Sequence, residues 1–295
     1  MTILQILIAA RWVHFAALFV LFGCPLSFLL TYGISDAGRV FRATDILLRV
    51  IAAITAISGF AWIAAIIANM AGGFAEAATS DTLSAFFFET QFGPVVIVRL
   101  ILLAAAVLAI ALPRYIRFKA WLLIAAALLI DQAWLGHAAH GGASLSGAMM
   151  IAAYAVHVLA GAAWVGGLPV LLFVLLTHGA PGDNAAVLSR YSILATAAVV
   201  LILLSGIANA LFRVEGHIAR LAATDYGEIL LVKLLLVALM LVLASYNRFI
   251  ALPRLGPAKR QKIASSLAGS IGAELALGII VIGAAALLGV TPPPN

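Results

Sequence analysis

A chain of 295 residues that is 65% hydrophobic and 9% charged, with a mean hydropathy of +1.19, cannot hide its apolar surface inside a soluble domain. The formal net charge of +6 and pI near 9.8 suggest nucleic acid at first sight, but the excess Lys and Arg fall in loops between apolar runs, which fits a lipid bilayer and not a nucleic-acid partner. A single cysteine, Cys24, excludes an intramolecular disulfide and any CxxC metal motif.

A bilayer core takes about 20 apolar residues per helix, and the chain offers eight such stretches, at 4–31, 45–70, 93–112, 119–136, 149–177, 190–212, 226–250 and 268–290. They are continuous apolar runs, not alternating strands, so they read as helices and not as a barrel. The expected fold is all-α: one integral-membrane domain over 1–295, a bundle of eight transmembrane helices.

The first span lacks a basic start and is too long for a cleaved signal peptide. It holds Arg11, Trp12 and His14, then Cys24-Pro25, where proline breaks a backbone hydrogen bond and can kink the helix. The third span carries Arg99. The fourth carries Asp131 and exits at His137 and His140. Gly136, Gly141, Gly142 and Gly147 make the next link short and bendable. The fifth span starts at Met149 and Met150 and continues to His157, Gly161, Trp164 and Gly166. Ser205, Asn209 and Asn247 in later spans read as interhelical glue. The seventh span holds Glu228 and Lys233, the eighth Glu274.

The loops alternate in charge. Arg39, Arg42, Arg49, Arg114, Arg117, Lys119, Arg190, Arg248, Arg254, Lys259, Arg260 and Lys262 fall on the odd-numbered side; only Arg213 and Arg220 fall on the other, beside Glu76, Asp81, Glu89, Glu215, Asp225 and Glu228. The positive-inside rule puts the odd loops in the cytoplasm and both termini on the periplasmic side of a bacterial inner membrane.

That orientation collects four of the six histidines and leaves His178 and His217 in loops on opposite faces. His14 lies ~15 Å and His157 ~12 Å into their spans from the outer face, and His137 and His140 sit where the fourth span exits outward. His137-Ala-Ala-His140 puts two imidazoles on one helical face. They can ligate a metal or sit at the interface bonded to water or carbonyls. Met149 and Met150 can add thioethers, which favour Cu(I), or simply fill space. His14 and His157 are functional candidates because ionisable groups in a membrane are expensive; the plainer reading is a hydrogen bond tying two helices. Arg11 faces the bundle or snorkels outward. Arg99 or Lys233 can pair with Asp131. Glu274, with no basic residue in its span, reads as a cation or proton relay or as a protonated, hydrogen-bonded acid. Trp164 is two turns from His157 on the same face.

No Walker A loop, dinucleotide fingerprint, HExxH or Ser-His-Asp arrangement occurs, so neither an enzyme nor a primary ATP-driven pump is expected. Two functions remain, beside the blander reading of a scaffold whose histidines only hold helices together. Copper is captured by His137, His140, Met149 and Met150 and passed to His14 and His157, with Arg11, Trp164, Asp131, Lys233 and Glu274 along the path or structural. The alternative is a b-type haem held axially by His14 and His157, for electron transfer or cupric reduction.

The chain resembles the copper resistance D family. The resemblance runs through Arg11-Trp12-Val13-His14, Gly136-His137-Ala138, and His157 with Ala162-Ala-Trp-Val-Gly-Gly-Leu168. It continues through Arg190-Tyr191-Ser192, Leu204-Ser205-Gly206, Tyr226-Gly227 with Leu231-Val232-Lys233, Asn247-Arg248 and Glu274-Leu-Ala-Leu-Gly278. It implies eight transmembrane helices in the bacterial inner membrane and inward copper movement. It also implies a separate periplasmic copper-binding partner of the copper resistance C type.

Overall fold

Apolar helical stretches fix the architecture. The computed structural model describes residues 1–31, 33–135, 144–176, 181–214, 224–254 and 260–292, and no strand occurs among them. In chain order the helices are α1 Ile3–Thr31, α2 Gly33–Ala71, α3 Phe74–Ala77, α4 Ser80–Glu89, α5 Gly93–Leu108 and α6 Arg114–Asp131. They continue with α7 Leu145–Val165, α8 Leu168–Leu176, α9 Pro181–Val214, α10 Asp225–Tyr246 and α11 Arg260–Leu288. Seven segments among the described residues are long and apolar enough to cross a membrane: 3–31, 44–71, 93–111, 145–176, 186–212, 225–254 and 263–288. Helix α6 is more charged, yet it buries Trp121, Leu128 and Leu129 against its neighbours. Ile46, Ile57, Ile101, Leu123, Leu211 and Val242 face outward, the surface that hydrocarbon covers.

The helices fall close to the expected spans, with three differences. Between the second and third spans the acidic stretch is not a plain loop but α3 and α4. Thr79 Oγ1 accepts the Thr82 N–H to cap α4, and Phe86 docks in the core. The fifth span is interrupted at Gly166-Gly167, dividing α7 from α8. The seventh ends in a wide π turn, Asn247–Ala251, then a 3-10 turn, Leu252–Arg254. Helix α1 continues through Pro25.

Contacts define how the helices run. Along α1, Phe19, Gly23 and Ser27 meet Gly161, Ala162, Gly166 and Gly167 in the same chain order, so α1 and α7 lie parallel. A Cβ on Gly23 would overlap the Ala162 carbonyl oxygen, and one on Gly166 the Phe19 carbonyl oxygen, so these two backbones touch. Gly161 has more room, 3.4 Å from the Phe19 ring. Helix α2 runs antiparallel to α1, α6 to α5, α9 to α7 and α11 to α10. Arg11 near the start of α1 packs on Gly289 just past α11, so the first helix begins where the last one ends.

The opposite end is basic. Asp45 accepts from Arg49 at 3.0 Å and Arg117 at 3.4 Å, with Arg114 at 4.0 Å. Arg190 donates to the Thr31 carbonyl at 2.8 Å, closing α9 onto the end of α1.

Candidate functional site

His14, on α1, is fully buried among α2, α5 and α6. A carbonyl oxygen only accepts, so the 2.9 Å contact between His14 Nδ1 and the Thr55 carbonyl makes Nδ1 the protonated nitrogen. Arginine only donates, so the 3.0 Å contact with Arg99 Nη2 makes Nε2 an acceptor. The imidazole is therefore neutral with both nitrogens engaged. Arg99 also donates through Nη1 to Asp131 at 2.8 Å. Trp62 covers the group, its ring 5.8 Å from the His14 ring at 27° and 4.7 Å from the Arg99 guanidinium carbon. The Arg11 guanidinium lies 5.7 Å from both the Phe15 and Trp62 rings. Trp62 Nε1, Arg99 Nε and, beside Asp131, Gln132 Oε1 are buried with no hydrogen-bond partner among the described residues.

His157 sits on α7 against α9. Its Nδ1 is 3.2 Å from both the Ile202 carbonyl and Ser205 Oγ, so Nδ1 again carries the proton. Its Nε2 has no hydrogen-bond partner among the described residues. Gly206 makes room for the ring, its position for a Cβ 3.3 Å from His157 Cε1. Lys233 lies within electrostatic reach of the imidazole. On parallel helices, His14 and His157 each precede the Gly23–Gly166 crossing by nine residues. They therefore share a depth, but each bonds to a different neighbouring helix.

A third polar group lies deeper in the bundle, toward the basic end. Glu274 accepts from Trp164 Nε1–H at 2.7 Å and Asn247 Nδ2–H at 3.2 Å. The Tyr191 hydroxyl donates to the Trp164 carbonyl, and the Cys24 thiol to the Gly166 carbonyl at 3.2 Å.

Of the residues expected from sequence, the structure joins His14, Asp131 and, through aromatic packing, Arg11 into one cluster. It joins Trp164 and Glu274 into another. His157 stands between α7 and α9, apart from both sets of hydrogen bonds. Met149 is exposed and Met150 half-buried, both in the first turns of α7. His137 and His140 lie outside the described residues. Among the described residues no group of three or more His, Cys, Asp or Glu side chains gathers to hold a metal. Of the two pairings open to Asp131, Arg99 is the one formed. Ser205, Asn209 and Asn247 do bridge helices, Asn209 by donating to the Ala153 carbonyl at 3.3 Å. Thr55 and Trp62 went unnoticed in the sequence; the one available signal was a tryptophan well inside a span instead of at its interfacial end. The haem alternative finds no support: His14 offers no free nitrogen, and His157 turns to α9.

Comparison with known proteins adds a family. Residues 1–148 match the family model described as copper resistance protein D-like, N-terminal domain, and residues 185–288 match copper resistance protein D. The chain is 29% identical over 294 residues to inner membrane protein YebZ of Escherichia coli (strain K12), covering 97% of this chain and 98% of that one. It is 29% identical over 217 residues to copper resistance protein D of Pseudomonas syringae pv. tomato, covering 70% of each. No solved structure matches.

Proposed function

The chain belongs to the copper resistance protein D family of inner-membrane proteins, and on that premise we propose that it carries copper inward across the bacterial inner membrane. Copper is the cargo, not a resident cofactor, and the protein is a carrier, not an enzyme. His137, His140, Met149 and Met150 capture it at the periplasmic face. His157 takes it within the bundle, and His14 takes it when Arg99 withdraws. Arg11, Asp131, Lys233, Trp164 and Glu274 set the field along the route. A separate periplasmic copper-binding protein of the copper resistance C type is the proposed donor.

One observation supports this reading above the rest. At a shared depth, His14 and His157 each place Nδ1 against a backbone carbonyl of a neighbouring helix. That contact fixes the tautomer whose Nε2 holds the lone pair, which is how proteins prepare histidine for a metal. At His157 that lone pair is open. At His14 it is covered by Arg99, which is also tied through Nη1 to Asp131 and has to turn away before copper can bind there.

The test is copper content and visible absorption of detergent-purified protein, grown with copper and haem both available. Wild type is expected to hold copper, to lose most of it in His157→Ala and to show no Soret band. Unchanged copper in both His157→Ala and His14→Ala would end the reading, and stoichiometric haem would replace it with electron transfer.

A further inference from the structure

Glu274 lies toward the end of the molecule opposite Arg11 and uses none of the histidines. We propose that Glu274 is a proton-binding site, loaded through the cavity beside it at the basic end of the bundle, and that its proton exchanges in step with cargo movement. The proton site stands on its own geometry; its coupling to cargo rests on the copper reading above.

Glu274 is 3% exposed. Its two hydrogen-bond donors, Trp164 and Asn247, are both neutral. No Lys, Arg or His forms an ion pair with it among the described residues. A carboxylate buried in that way is expensive while charged, and taking up a proton removes the expense. Asn247 suits both states. Its amide N–H₂ donates to the anion, and its Oδ1, buried with no partner, can accept the O–H of the acid after the amide rotates. Ser270, one turn earlier on the same face of α11, also has a buried hydroxyl with no partner.

A cavity borders the carboxyl group. A cavity of about 60 Å³ touches Glu274 and Asn247 and is walled by Tyr191, Ser192, Arg248 and Leu252. That volume holds more than one water. Ser192 follows Arg190 by two residues on α9 and Leu252 lies past the end of α10, so the cavity lies toward the end where Arg190 meets Thr31. The charged or titratable groups on the packed elements are Tyr191 from α9, Arg248 after α10 and Cys24 from α1. Tyr191 is tied to the Trp164 carbonyl and Cys24 to that of Gly166. Arg248 lines the same cavity but is held by the Ser192 carbonyl at 2.7 Å and Ser192 Oγ at 2.9 Å and forms no ion pair with Glu274. The π turn at Asn247–Ala251 aims Asn247 at α11 and Arg248 at α9; such turns recur at functional positions. Only an O–H bond forms and breaks; the proton comes from cavity water and returns to it, with no electron transferred. Trp164 carries the event to α7, the helix that also holds His157.

The experiment reconstitutes the full chain in liposomes containing a pH-sensitive dye and adds copper outside. Copper uptake and internal pH are read together for wild type, Glu274→Gln and Trp164→Phe. Infrared difference spectra between acid and alkaline pH are recorded on the same proteins. Expected results are a copper-dependent pH change in wild type that is lost in Glu274→Gln, and a carboxylic-acid C=O band that is missing in Glu274→Gln and displaced in Trp164→Phe. Copper uptake without a pH change in wild type, or with the same change in Glu274→Gln, overturns the coupling. An infrared spectrum identical in wild type and Glu274→Gln overturns the proton site. If wild type moves no copper, the transport reading has failed, and the infrared comparison still decides the proton site.

Discussion

Arg99 is a fully buried cation, and its dependence on Asp131 is measurable. Breaking a buried ion pair strands the surviving charge, which costs about 3–5 kcal/mol, whereas replacing both partners by apolar groups is often near neutral. Arg99→Met and Asp131→Leu should each lower the thermal midpoint in detergent, followed by tryptophan fluorescence, and the double variant should recover much of the loss. Purely additive losses would show that the pair is not coupled. The sequence marked Arg99, Asp131 and His14 as candidates because charge in a membrane is costly. It could not show that Arg99 would occupy His14, since those residues are 85 positions apart and only the packing of α5 on α2 and α6 unites them.

At the scale of elements, the spans were legible because a bilayer forces every backbone group to pair within its own helix. Which helices touch was not, because lipid and protein are equally apolar and small residues decide the approach. Helix α4 was hidden by Asp81 and Glu89, which read as loop charge although Phe86 docks beneath them. Gly166 is where the approach can be tested. A methyl there would overlap the Phe19 carbonyl oxygen, while at Gly161 it would meet only the Phe19 ring at 3.4 Å. Gly166→Ala should destabilise by about 1–3 kcal/mol or more. Gly161→Ala should stay within about 0.5 kcal/mol. Equal effects from the two substitutions would mean that α1 and α7 do not cross at Gly166.

At the scale of the whole molecule, the start of α1 and the end of α11 share one end of the bundle, which requires an even number of crossings. Seven segments qualify as spans by composition; the eighth crossing expected from the sequence falls to α6, despite Arg114, Arg117, Lys119 and Asp131. Its length permits this: with the following 3-10 turn it runs from 114 to 134, ~30 Å of helix. Three of its charges gather at the basic end, and Asp131 is neutralised by Arg99. Single cysteines placed in a Cys24→Ala background should report the topology through a membrane-impermeant maleimide applied to spheroplasts. Ser80→Cys and Ser146→Cys should react in intact spheroplasts; Arg114→Cys and Arg254→Cys should react only after permeabilisation, as the positive-inside rule demands. Arg114→Cys and Ser146→Cys bracket α6. If both reacted from the same side, α6 would not cross, and the Arg99–Asp131 pair would join a spanning helix to one that does not span.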